Sequence, residues 1–134
     1  MWKPCRTILA GSVVLAATAA CGRLHPGATP DREGTTIVFQ NQSLEQADVF
    51  ALRRAAGALR IGTVFAGRTD TLTIQAGTIA PGETVDFAAR LLAKGNTPHS
   101  GPVAVSPGEW LTITLPSTET ILSVLPVQPP AGSK

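Results

Sequence analysis

Trp110-Leu111-Thr112-Ile113-Thr114-Leu115 decides the fold. Apolar residues occupy every second position and threonines stand between them. That period of two describes a strand with Leu111, Ile113 and Leu115 facing a core and the threonines facing water. The turn before it, Ser106-Pro107-Gly108-Glu109, has Pro then Gly at its centre, as a tight reversal requires. The same Pro-Gly pair recurs in Ala80-Pro81-Gly82-Glu83, which marks a shared turn habit rather than an internal repeat. Trp110 follows a turn at the start of a strand, and packing against the end of the domain is its expected role.

The alternation extends on both sides. Thr69-Asp70-Thr71-Leu72-Thr73-Ile74-Gln75 puts Leu72 and Ile74 inward, and Val85, Phe87, Ala89 and Leu91 share one face until Leu92 breaks the pattern. Residues 93–102 (AKGNTPHSGP) read as a loop, Val103 and Val105 as a short strand, and 121–127 as a last strand. At the other end, Thr35-Thr36-Ile37-Val38-Phe39 is β-branched and aromatic, and Asn41-Gln42-Ser43 reads as a turn. Residues 44–60 carry two readings. Ser43-Leu44-Glu45-Gln46 has the form of a helix capping box, with Val49, Leu52, Ala56 and Leu59 at nearly helical spacing. The same stretch fits a hairpin that turns at Ala56-Gly57 into Leu59–Phe65. The β-patterned surroundings favour the hairpin. The expectation is an all-β chain: a single small β-sandwich of about seven short, mostly antiparallel strands over 35–127, with a disordered tail over 128–134.

The first twenty residues have another character. Lys3 and Arg6 open the chain, an apolar run follows from Ile8, and Ala16-Ala17-Thr18-Ala19-Ala20 leads to Cys21. The run Ile8–Ala20 is short of the ~20 residues that a membrane-spanning helix needs, but suits the apolar region of a secretion signal. Thr18-Ala19-Ala20-Cys21 resembles the recognition box of bacterial lipoproteins, with Thr18 where that family usually has Leu. The resemblance runs from Met1 to Gly22 and no further. It implies cleavage of 1–20, attachment of acyl chains such as palmitate to the Cys21 sulfur, and a tether over 21–34 before the domain. Two or three acyl chains, at ~0.8 kcal/mol per buried methylene, hold a protein firmly on a bilayer. Gly22, in place of the Asp that commonly signals inner-membrane retention, leans toward the outer membrane in a two-membrane cell. The alternative is cleavage after Ala17-Thr18-Ala19, giving a secreted protein with a free thiol; a lone exported thiol is exposed to oxidation and mispairing.

The chain has 11 Lys and Arg against 9 Asp and Glu, and Lys3 and Arg6 lie in the signal-like segment. The remainder is formally neutral, which lacks the concentrated positive charge of a nucleic-acid binder. Arg53-Arg54 is its only basic doublet and reads as a solvated face. Without Cys5 no disulfide forms inside the domain, and its aromatic content is Phe39, Phe50, Phe65, Phe87 and Trp110.

Chemistry-bearing motifs are sparse. His25 falls in the tether. His99-Ser100 lies in the 93–102 loop, and Asp70 or Asp86 is the acid that would complete a hydrolytic triad, without a Gly-x-Ser-x-Gly elbow. Glu83, Asp86 and Glu109 are the carboxylates from which a glycosidic pair would be drawn, yet Glu83 and Glu109 each follow a turn, where solvated acids are normal. No metal-ligand spacing, phosphate loop or dinucleotide fingerprint occurs, so no cofactor is expected. Asn41-Gln42-Ser43 matches a glycosylation triplet and reads as a plain turn. The expected function is therefore a lipid-anchored envelope protein, structural or partner-binding, that recruits through an edge strand at 35–40 or 121–127. A small hydrolase at His99-Ser100 and a small-ligand carrier with an interior cavity are the alternatives. The general look is similar to immunoglobulin-like or transthyretin-like modules, folds that host many functions.

Overall fold

The computed structural model describes residues 33–129, which form eight strands. They are β1 (Thr35–Asn41), β2 (Ala47–Arg53), β3 (Gly57–Val64), β4 (Thr69–Ile74), β5 (Glu83–Leu91), β6 (His99–Val105), β7 (Trp110–Leu115) and β8 (Ser123–Val127). They pair into two four-stranded sheets, β4-β1-β7-β8 and β3-β2-β5-β6. Every pair is antiparallel except β1 with β7. The result is a small all-β sandwich, as the alternating pattern predicts.

Burial follows that alternation. Ile37 and Phe39 of β1 and Leu111, Ile113 and Leu115 of β7 are buried from the first sheet. Val49, Ala51, Val85, Phe87, Ala89 and Leu91 are buried from the second. Phe87 stands opposite Ala51, and Val49 opposite Ala89, so large and small side chains alternate across the second sheet and interdigitate with the first. Residues 44–60 adopt the hairpin: β2 pairs with β3 from Ala47↔Val64 to Arg53↔Gly57. Gly57 closes its turn with the positive φ that a residue lacking Cβ adopts freely.

Three expectations are corrected. Strand 35–40 is not an edge. β4 covers one side of it and β7 the other, because residues distant in sequence supply both neighbours. The aromatic core shrinks to Phe39 and Phe87, while Phe50 and Trp110 are half-buried and Phe65 stands exposed after β3 ends. His99 and Ser100 belong to β6 rather than to a loop.

The registers give the sandwich two unlike ends. Thr36 pairs with Trp110, and Trp110 with Val127, so the chain joins β1 and leaves β8 at the same, near end. The turn at 54–56, the loop 75–82 and the turn 106–109 lie there too. Asn41 pairs with Leu115, Ala47 with Val64 and Leu91, and Gln40 with Thr69. Those pairings gather loops 42–46, 65–68, 92–98 and 116–122 at the far end.

Candidate functional site

The residues proposed for hydrolysis do meet. Along β5 and β6 the pairing runs Ala88↔His99 and then Asp86↔Pro102, so Phe87 is opposed by both Ser100 and Gly101. This is a bulge, and Gly101 supplies the positive φ that it demands. Ser100 Oγ accepts a hydrogen bond from the Phe87 N–H (2.9 Å) and donates to the Gly101 carbonyl (2.7 Å). Asp86 Oδ1 lies 3.4 Å from the same hydroxyl, and Asp86 Oδ2 lies 3.0 Å from His99 Nδ1. In a nucleophile–base–acid relay the imidazole stands between hydroxyl and carboxylate. Here the carboxylate stands between hydroxyl and imidazole, and the hydroxyl replaces the ladder acceptor that the bulge removes.

On the outer face of the same sheet, the β2, β3 and β5 registers set Asp48 beside Thr63 and Arg90. Asp48 Oδ1 accepts from Thr63 Oγ1 (2.6 Å) and Arg60 Nη2 (2.9 Å), and Oδ2 accepts from Arg90 Nη2 (3.1 Å). The Thr63 hydrogen bond first, then Arg60 and Arg90, outweigh burial and lower the Asp48 pKa from 3.8 to about 2. The Arg90 guanidinium also lies 5.5 Å from the Phe50 ring centroid, within range of a cation–π attraction. Nothing in the one-dimensional order marks this network, since it exists only once three strands are in register.

Two hollows among the described residues are open to solvent. The larger, about 910 Å³, lies outside the second sheet toward the near end and is lined by Leu52, Arg53, Arg54, Glu83, Asp86 and Pro102 among others. Arg53 Nη1 donates to the Thr78 carbonyl at 2.6 Å, and its buried Nε has no partner. The smaller, about 290 Å³, lies at the side where β3 and β4 approach, bounded by Leu59, Ile61 and Ile74. The space between the sheets is occupied by core side chains.

The remaining singled-out residues have structural places. Asn41 is buried and ties the far end together. Its Nδ2 donates to the carbonyls of Glu45 (2.7 Å), Val64 and Phe65 (both 3.1 Å), and its Oδ1 accepts from Ser43 N–H and Oγ. In the folded domain the Asn41-Gln42-Ser43 triplet serves as a hydrogen-bonded turn. Glu83 and Glu109 do the same work at two turns. Glu83 Oε2 accepts from Ala80 N–H and Glu109 Oε2 from Ser106 N–H, each at 2.9 Å. Asp70 lies exposed on β4, apart from His99. Among the described residues no three His, Cys, Asp or Glu side chains are grouped as metal ligands. The signal-like segment 1–20, Cys21, His25 and the tail from residue 130 onward lie outside the described residues.

No protein-family description matches the chain. No curated protein matches it by sequence. Among solved structures it is similar to one described as the NMR structure of the protein from Eubacterium rectale, at 16% identity and a TM-score of 0.46, covering 78% of this chain and 99% of that one. A likeness that distant carries no argument; the sandwich rests on its own strand pairing.

Proposed function

We propose that the protein is a lipid-anchored, non-catalytic module of the cell envelope that binds or braces another envelope component. The observation that carries this reading is Cys21, a cysteine directly after Ala19-Ala20 at the end of a signal-like segment. The chain then enters the sandwich at its near end, which leaves the far end and the sheet edges free. Gly22 after the cysteine favours the outer membrane in a two-membrane cell. The order hydroxyl–carboxylate–imidazole at Ser100, Asp86 and His99 supports a structural use of these residues. β8 takes the recruiting role offered to strand 121–127: it is an edge strand with Leu125 and Val127 exposed.

Mass spectrometry of the mature N-terminus tests the anchor, with an acylated Cys21 as the first residue expected. A Cys21→Ser variant is expected to lose the acyl mass from its N-terminus. In-cell crosslinking tests the partner; recovery solely as an uncrosslinked monomer overturns that part.

A further inference from the structure

Six large apolar side chains stand exposed among the described residues, and four of them occupy the far end, one on each loop. Leu44 is 91% exposed, Phe65 62%, Leu92 56% and Ile121 60%. The loops that carry them are stitched into one rim. Gly67 N–H donates to Ser43 O (3.2 Å), Leu92 N–H to Gln46 O (3.4 Å) and Asn96 Nδ2 to Glu119 O (2.8 Å). Four projecting hydrophobes on tied-down backbone are held out rather than left over.

Charge at this end is sorted by sign. The Glu45 and Glu119 side chains are only 14% and 8% exposed, and both contact Lys94, at 3.7 and 2.8 Å, whose own side chain is 58% exposed. The Glu119 hydrogen bond raises the Lys94 pKa, which keeps the ammonium charged. Arg68 is exposed beside Phe65, while the exposed acid Asp70 is set back on β4 opposite Phe39. What faces outward from the four loops is apolar tips, two cations and uncharged polar residues such as Gln42, Asn96, Thr118 and Thr120, with no exposed carboxylate.

We propose that the far end is a membrane-docking surface: Leu44, Phe65, Leu92 and Ile121 enter the interfacial layer of a bilayer, and Lys94 and Arg68 meet lipid phosphates. Size favours a bilayer over a protein. Four strands spaced ~4.8 Å apart in sheets ~10 Å apart give an end of a few hundred Å², against the ~800 Å² per partner of a standard protein interface. A bilayer accepts separate tips without needing one continuous patch. The docking does not depend on Cys21. Glu33 O is held by Gly108 N–H at the near end, so if Cys21 is acylated the eleven residues 22–32 set a reach of at most ~36–40 Å, still more than the ~25–30 Å of a nine-residue strand, and the far end can rest on the membrane that holds the anchor.

The test uses the chain from Gly22 to Lys134, which keeps every described strand and lacks both the signal-like segment and Cys21, in flotation with phosphatidylcholine vesicles, with and without phosphatidylglycerol. The protein is expected to float with both and more with the anionic lipid. Phe65→Ser lowers the partition coefficient about tenfold, and the variant carrying Ser at all four tips stays at the bottom with an unchanged denaturation midpoint. Leu125→Ser on β8 floats like the parent. Absence of flotation, or flotation of the four-tip variant equal to the parent, overturns the proposal. So does a photo-crosslinker at position 65 that captures protein and no lipid. An unmodified Cys21 would end the anchor reading and leave the flotation result standing.

Discussion

A Cβ placed on Gly62 would stand 2.7 Å from Leu72 Cδ2, so a glycine of β3 and a leucine of β4 fit together across the side where the two sheets approach. The contact closes the flank of a sandwich whose edge strands there belong to different sheets.

Gly62→Val is therefore expected to destabilise the domain by about 1–3 kcal/mol, because Leu72 must swing away. In a Leu72→Ala background the same substitution should cost less, since the opposing methyl is gone. Denaturant unfolding of the four proteins measures the coupling; additive effects would deny the contact.

Asp48 makes stability acid-sensitive. Its folded-state pKa is depressed, so its contribution is fully present above the ordinary value of 3.8 and is lost as pH falls toward 2. With its arginine partners half in water, a loss of about 1–2 kcal/mol is expected over that window. Asp48→Asn should flatten the pH dependence there. An unchanged slope in the variant would show that other carboxylates govern the acid limb.

Ser100 and His99 are adjacent but should respond differently. Ser100→Ala removes the acceptor of the Phe87 N–H and should cost about 1–3 kcal/mol, with faster hydrogen exchange at that amide. His99→Ala, at an exposed hydrogen bond to Asp86, should stay within about 0.5 kcal/mol. Equal losses would contradict the bulge-filling role.

The alternation at 110–115 and 69–74 was legible because each strand buries one face, and burial imposes the period of two. The hairpin over 47–64 needed its surroundings, since the run 47–52 serves a helix turn, with Val49 and Leu52 on one face, as well as a strand, with Val49 and Ala51 on one face. Strand order lay beyond reading. β1 looks like an edge because it comes first, yet its neighbours are Ile74 and Trp110, brought back from far along the chain. His99-Ser100-Gly101-Pro102 has loop composition, and a single bulge absorbs it into β6. Leu92 carries a double signal: the broken alternation marks both the end of β5 and an outward-pointing tip. The matching Glu after each Pro-Gly was also visible as a spacing, but that its carboxylate folds back to accept an N–H of its own turn was not.

The side-by-side alignment of β1 with β7 governs when the molecule can form. Ile37 and Phe39 have no neighbour from their own hairpin; they wait for Leu111 and Ile113, more than seventy positions on. A nascent chain still threading off the ribosome short of Leu115 holds half a seam and no closed interior. Such distant pairings slow assembly and make it all-or-nothing, so the polypeptide stays pliable until β7 has been made.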